Sequence, residues 1–461
     1  MILGVEEESV KTRKAAISRR AFLKGSAAAG AAAVALYGGL KFSGALSSGA
    51  KGKIVIVGGG AAGISAAARL ESALRSPDIT LIDPSEFHYY QPGFTLIAAG
   101  VYSPEEVYRR QADCIPSGVK WLKDSVVAVD PDKRTVSTAG GLKVRYDFLV
   151  LTPGMVCDWD LIEGIDAKSL GTGNAHCIYD FEGAIKTRAA MDKFAREGGV
   201  GIFADTYTKH KCGGAPKKVC LLTEHLSRKY GARKNAEFNF YTAADRLYDV
   251  PYFTPRLLEI YAQRNIPINL NTYISGIDTS AKRAFFVHKQ KGADGKTVVS
   301  EFKRDYDFIH FLPPMGAPKF VKESGLSATS GSHAKEGWVD VDKYTLVSKK
   351  YPNIVSFGDV SALPTSKTSA AIRKQVPVAV NNLICLMEGR EPSAKYDGYA
   401  ACPIVTDYGH VLLCEFDYDK KPKISFPLSL LDMSRERRIA WFLKVYALKP
   451  MYFYGMLNGL A

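Results

Sequence analysis

A short apolar strand, Lys53-Ile-Val-Ile-Val57, runs straight into Gly58-Gly59-Gly60-Ala61-Ala62-Gly63, and no other stretch limits the fold of this chain as much. The pattern predicts a helix over Ile64 to Leu74 and a second strand, Ile79-Thr-Leu-Ile82, ending in Asp83, twenty residues after Gly63. Each position has a physical task. Gly58 permits a tight turn, Gly60 lets a pyrophosphate approach the backbone, and Gly63 lets the helix pack against the strand. The helix start offers unpaired N–H groups to phosphate, and Asp83 stands where a carboxylate accepts hydrogen bonds from a ribose diol. The order strand, glycines, helix, strand, acid predicts a dinucleotide-binding α/β domain with a parallel sheet.

A distant second signature decides which dinucleotide. Tyr351-Pro-Asn-Ile-Val-Ser-Phe-Gly358-Asp359 is a strand ending in Gly-Asp, where flavoproteins with two dinucleotide domains place the Asp on the ribityl chain. Tyr146-Asp147-Phe-Leu-Val-Leu-Thr-Pro-Gly154 resembles the strand and turn that bring the chain back to the first domain in that class. FAD is therefore the expected cofactor. The expected organisation is α/β with two Rossmann-like domains, the FAD domain (51–165 and 300–395) being split by the second (166–299). Residues 396–461 are expected to form a C-terminal region that carries Cys402 and Cys414 and an amphipathic membrane-docking tail.

The second unit lacks a phosphate cradle. Gly199-Val-Gly-Ile-Phe-Ala204 supplies its strand, but the segment before the next helix reads Lys211-Cys212-Gly213-Gly214-Ala215-Pro216-Lys217-Lys218. This argues against NAD(P)H as electron donor. A cysteine near a helix start, with lysines beside it, is a thiolate-favouring arrangement suited to sulfur chemistry. The eight cysteines are scattered, with neither the paired spacing of a structural zinc site nor the density of a disulfide scaffold, so no metal is expected.

These motifs together resemble the sulfide:quinone oxidoreductase family, specifically its two-cysteine branch that includes the mitochondrial enzyme. The matching residues run from Lys53 to about Gly455. They include Phe87-His-Tyr-Tyr-Gln91-Pro92, Ile115-Pro-Ser-Gly-Val-Lys-Trp121, Cys212-Gly-Gly-Ala-Pro216, Pro313-Pro-Met315, Gly358-Asp359, Leu363-Pro-Thr-Ser-Lys367-Thr368 and Lys395-Tyr-Asp-Gly-Tyr399 followed by Cys402-Pro403. The resemblance implies that Asp83, Gln91, Val126, Gly154, Asp359 and Ser369, Ala370, Ala371 and Ile372 line FAD. It also implies that Cys212 and Cys402 are the redox pair, bridged directly or through an extra sulfur. Sulfide and quinone would be the substrates, with a small thiol or polysulfide as sulfur acceptor. Lys218 and Lys367 are expected to lend electrostatic support. Cys157 and Cys177 stay open between packing and function, and His88 is assigned no catalytic role. The resemblance also admits the flavoprotein subunit of a flavocytochrome c sulfide dehydrogenase. That family links flavin through a cysteine near the segment holding Gln91-Pro92-Gly93, where this chain has none.

The ends of the chain address it to a membrane. Ser18-Arg19-Arg20-Ala21-Phe22-Leu23-Lys24 and the Ala/Gly-rich run from Ala27 to Leu40 look like a twin-arginine signal over residues 1–50, with Ser48-Gly49-Ala50 suited to cleavage. Periplasmic location at the outer face of the membrane follows as an expectation. The net charge is +14, and the residues after position 50 still carry +10, which favours acidic lipid. No basic helix or aromatic RNA motif directs that charge to nucleic acid. From Met433 onward, basic residues alternate with aromatic and aliphatic ones in two amphipathic segments divided by Pro450, as expected of a peripheral membrane contact or, on the competing reading, of a homo-oligomer interface.

Overall fold

The structure is a computed structural model that describes residues 47–292 and 294–460. Strand β1 (Lys53–Val57) pairs in parallel with β2 (Asp78–Ile82), Lys53 lying opposite Asp78. The connecting helix, Ala61–Ala73, begins before the expected Ile64 because Gly60 holds an extended conformation and the chain turns helical at once. β3 (Lys120–Leu122) extends the sheet beyond β2, and β4 (Phe148–Leu151) pairs with β1 on its other side. Ile54, Ile56, Leu81 and Val150 are all buried, as strands covered by helices on both faces require.

The chain then builds a second parallel sheet from β5 (Ala175–His176), β6 (Gly199–Ala204), β7 (Ala236–Tyr241), β8 (Ile268–Asn269) and β9 (Phe308–His310), in the order β5-β9-β6-β7-β8. A three-stranded antiparallel sheet, Thr272–Asp278, Arg283–Lys291 and Thr297–Asp305, intervenes before β9. The second sheet therefore holds the chain past residue 299, the boundary read from the sequence, because its edge-side neighbour β5 needs β9 to reach β6. β10 (Ile354–Ser356) returns to pair with β4 and completes the first sheet as β10-β4-β1-β2-β3.

The remaining chain packs against both units. A hairpin of β11 (Ala400–Asp407) and β12 (His410–Phe416) places Cys402 directly opposite Cys414. β11 packs on the helix Ala215–Lys229. The C-terminal run is a chain of short turns: α-helical Arg438–Phe442, π-helical Leu443–Ala447, α-helical Leu448–Pro450 and π-helical Met451–Met456. Pro450 thus does not divide two segments, as its sequence position implies. The wide π turns beside it leave room for a ring that would strike the preceding carbonyl in a regular α-helix. Among the described residues no helix is long and apolar enough to cross a membrane. The twin-arginine segment lies outside the described residues. Ser48, at the expected cleavage site, donates its N–H to Ala73 O at 2.8 Å.

Candidate active site

One cavity of about 380 Å³ runs along the carboxyl ends of the first sheet. Gly58, at φ +97°, passes so close to Thr152 that a Cβ there would lie 2.4 Å from the Thr152 carbonyl oxygen. A Cβ on Gly63 would lie 1.8 Å from the Gly58 oxygen, so helix and strand meet only through glycine. A Cβ on Gly60, by contrast, would meet no atom within 4 Å, because Gly60 faces the open cleft. The Asp83 carboxylate accepts the Gly59 N–H at 2.7 Å and the Ser85 N–H at 2.8 Å on the same wall.

Gln91, Gly154, Asp359, Ser369, Ala370 and Ile372 also line the cavity. Ser369 and Ala370 open the helix Ser369–Met387, whose Thr368 cap accepts the Ala371 N–H at 3.2 Å. Burial raises the Asp359 carboxyl above its usual range. Two of the expected residues stand elsewhere. Val126 begins a strand of a separate three-stranded antiparallel sheet and does not reach the cavity. Ala371 is fully buried and off the cavity wall, because adjacent residues on a helix point about 100° apart. A glycine-floored cleft with open backbone at Gly60, acids at Asp83 and Asp359, and two helix starts fits FAD.

The two cysteines named from the sequence meet beside this cleft, Cys212 in its lining and Cys402 buried between the lining residues Ala401 and Pro403. Cys212 Sγ lies 3.3 Å from Cys402 Sγ although 190 residues separate them, and neither is bridged. Cys212 adopts φ +51°, a strained conformation for a residue with a side chain, just before the helix Ala215–Lys229. Its N–H donates to Lys367 O at 3.0 Å, and its carbonyl accepts the Ala215 N–H at 2.8 Å. Gly214 passes so near the second thiol that a Cβ there would lie 2.5 Å from Cys402 Sγ.

The same chain matches the family described as pyridine nucleotide-disulphide oxidoreductase over residues 52–190. It is 38% identical over 408 residues to the mitochondrial sulfide:quinone oxidoreductase of Dictyostelium discoideum, covering 88% of this chain and 86% of that one. This chain belongs to the sulfide:quinone oxidoreductase family. FAD is its cofactor. The mouse mitochondrial sulfide:quinone oxidoreductase (Mus musculus) is 33% identical over 407 residues, covering 88% of this chain and 86% of that protein. The X-ray structure of the sulfide:quinone oxidoreductase from Aquifex aeolicus shares the fold, with a TM-score of 0.71 and 21% identity over 89% of this chain and 92% of that one.

The charges around the two thiols make them unequal. Lys218 is buried, and its Nζ donates to Cys212 Sγ at 3.3 Å. The hydrogen bond from Cys402 and the nearby Lys218 charge outweigh burial and hold the Cys212 thiol well below its ordinary pKa. Cys402 is driven the other way, by that same contact with Cys212 and by burial. Burial works against charge on Lys218, yet the two sulfurs hold its pKa above the ordinary value. Lys367 has a different setting. Its ammonium donates to Asp359 O at 2.6 Å and Ser361 O at 2.8 Å, lies 4.0 Å from the Trp338 ring, and is pulled by burial down to about 7.

Lys444 joins the site without any warning from the sequence. It lies in the amphipathic tail, where a lysine reads as lipid-facing, but it is buried and donates to Pro92 O at 2.9 Å. Burial and the neighbouring Lys218 lower it to about 7. Cys177 is wholly buried, and burial raises its thiol and that of Cys157, which leaves both without thiolate character. His88 is a buried tie between elements, with Nδ1 3.2 Å from Gly59 O and Nε2 2.7 Å from Tyr452 OH, and burial lowers it to about 4.

Proposed function

We propose that this protein oxidises sulfide at the Cys212–Cys402 pair, delivers the electron pair through FAD to a membrane quinone, and works at the outer face of a membrane after twin-arginine export. The observation that carries this reading is the pair itself: two sulfurs 3.3 Å apart, with Cys212 beside a buried lysine ammonium and in the wall of a dinucleotide cleft. A small rotation brings such sulfurs to the roughly 2 Å of a disulfide.

Lys218 gives the reaction a direction, because its ammonium lies 3.3 Å from Cys212 Sγ and stabilises a thiolate there. When a disulfide is attacked, the sulfur with the lower pKa leaves faster. Hydrosulfide therefore attacks Cys402 Sγ; the new S–S bond makes a Cys402 persulfide, and the Sγ–Sγ bond breaks toward Cys212, which departs as a thiolate held by Lys218. The persulfide's outer sulfur passes to a thiol or polysulfide acceptor, leaving a Cys402 thiolate. Re-forming the bridge from the two thiolates releases two electrons. FAD, when bound, accepts an electron pair and passes it to quinone. Gly58, Gly60, Gly63 and Asp83 would hold its pyrophosphate and ribose, and Asp359 its ribityl chain.

Membrane attachment rests on the C-terminal run. Phe442, Tyr446 and Tyr454 are spaced in steps of four and eight and are 59%, 45% and 66% exposed, while Lys444, Leu448 and Tyr452 line the cavity from the same turns. Leu430, Leu431 and Ile439 add exposed aliphatic surface, with Arg435 and Arg438 exposed beside it. Aromatic rings flanked by arginines suit an acidic headgroup layer, and a lipid-soluble quinone needs a route from it.

Between β6 and the helix Ala215–Lys229, where a pyridine nucleotide would need a glycine cradle, the chain instead carries the Cys212 loop. Anaerobic sulfide should therefore bleach the flavin of the purified protein, decylubiquinone should restore its colour, and NADH and NADPH should do nothing at micromolar concentration. Rapid bleaching by NADH, or reoxidation by cytochrome c and not by the quinone, would contradict the proposal.

A further inference from the structure

Cys212 needs a reason to stay at φ +51°, and its own hydrogen bonds to Lys367 and Ala215 fix only part of the loop. The rest comes from Tyr179. Its hydroxyl donates to Lys211 O at 2.5 Å and also reaches Cys212 O at 3.1 Å, so a single proton spans two consecutive carbonyls. The Lys211 ammonium lies 5.7 Å from the Tyr179 ring and donates to Gln91 Oε1 at 2.7 Å. Tyr179 itself is set in a rigid frame. It lies between β5 and the helix Phe181–Glu197, whose first turn is capped by Asp180 through the Gly183 N–H at 2.8 Å.

Two adjacent carbonyls held at one point fix the two peptide planes that flank the Cys212 Cα. Those planes set where the Cys212 side chain points. We propose that Tyr179 is the positioning residue of the redox pair: its hydroxyl holds the Cys212 loop so that Sγ lies against both Cys402 and Lys218. The phenol does not touch the reacting sulfurs through a hydrogen bond of its own, and it transfers no proton. Burial, followed by the surrounding thiols, keeps its pKa well above the ordinary value, so it remains a donor across the working range.

The inference rests on the reading of Cys212 and Cys402 as the redox pair. Tyr179→Phe keeps the ring and removes the donor. Turnover with sulfide and decylubiquinone should fall about tenfold, the worth of one such hydrogen bond, with KM for quinone unchanged. In the reduced protein, the pH midpoint for iodoacetamide alkylation of Cys212, followed by peptide mass spectrometry, should rise by about one unit as the thiolate loses its place beside Lys218. FAD content should stay the same. Tyr179→Met, which fills the space without a donor, should show the same shift. An unchanged alkylation midpoint in both variants would overturn the assignment of Tyr179 and leave the redox pair standing. Full turnover in Cys212→Ser would instead overturn the reading on which this inference rests.

Discussion

Cys212→Ser and Cys402→Ser are each expected to lower sulfide-driven quinone reduction by about a thousandfold, and the double variant should be little worse than either. Both sulfurs are needed at once, one to receive the incoming sulfur and one to leave. Losing either therefore removes the bridge, and their effects do not add. FAD should stay bound in all three variants, since the residues that fit it lie on the glycine floor and on the walls holding Asp83 and Asp359. Steady-state turnover and the flavin-to-protein ratio check both points. Cys220→Ser is the proper control, because Cys220 is buried within the helix Ala215–Lys229. Cys414 is not neutral ground: it stands opposite Cys402 across the hairpin and shares its face. Turnover within threefold of the parent in both single variants would overturn the mechanism.

Gly214→Ala should also be damaging, for a purely steric reason. Gly214 sits at φ −84°, a conformation open to any residue, so the backbone does not demand glycine there. Space does. The added methyl would lie 2.5 Å from Cys402 Sγ and 2.9 Å from Ile404 Cγ1. To admit it, β11 and the Cys212 loop must separate by an ångström or so. A displacement of that size between reacting groups costs about a hundredfold in rate. Gly213→Ala is the matched control, since its methyl would meet only His210 Nε2 at an ordinary 3.7 Å. The expected result is turnover reduced about a hundredfold in Gly214→Ala and nearly unchanged in Gly213→Ala, with FAD content equal in both. Equal turnover in the two variants would show that the thiol separation is not set by this contact.

Much of the architecture can be read from the sequence where a local rule has only one solution. The glycines at 58, 60 and 63 work through short-range sterics, and the structure gives each the surroundings that rule requires. The strand Gly199–Ala204 matches its sequence-based bounds because a six-residue apolar run covered on both sides has no competing reading. The two cysteines, 190 positions apart, carry no local signal that they meet. Only the resemblance joined them, and contact between β11 and the Ala215–Lys229 helix brings them together.

What the sequence hides depends on tertiary placement. Val126 opens a strand of a separate three-stranded sheet and is not among the residues lining the cavity, and nothing in its sequence neighbours distinguishes that placement from a lining one. Lys444 reads as a lipid-facing base because the periodicity of a π turn differs from the α period by which an amphipathic tail is judged. The π turns bring its ammonium inward, toward Cys212 and Lys218. Tyr179 acts through its hydroxyl on two carbonyls, and backbone acceptors leave no trace in residue identity. Gly214 sits in a Gly-Gly pair whose members look alike in sequence, yet only one of them abuts a thiol.

If Cys402 receives the sulfur and Cys212 leaves as the thiolate, one equivalent of sulfide has a single destination. The oxidised, FAD-loaded protein would be mixed anaerobically with that single equivalent, quenched at once with iodoacetamide, and digested for peptide mass spectrometry. The expected product is an alkylated persulfide, carrying one extra sulfur, on the Cys402 peptide, and a simple alkylated thiol on the Cys212 peptide. The extra sulfur on Cys212, on Cys157 or Cys177, or on no cysteine while the flavin bleaches, would contradict the account.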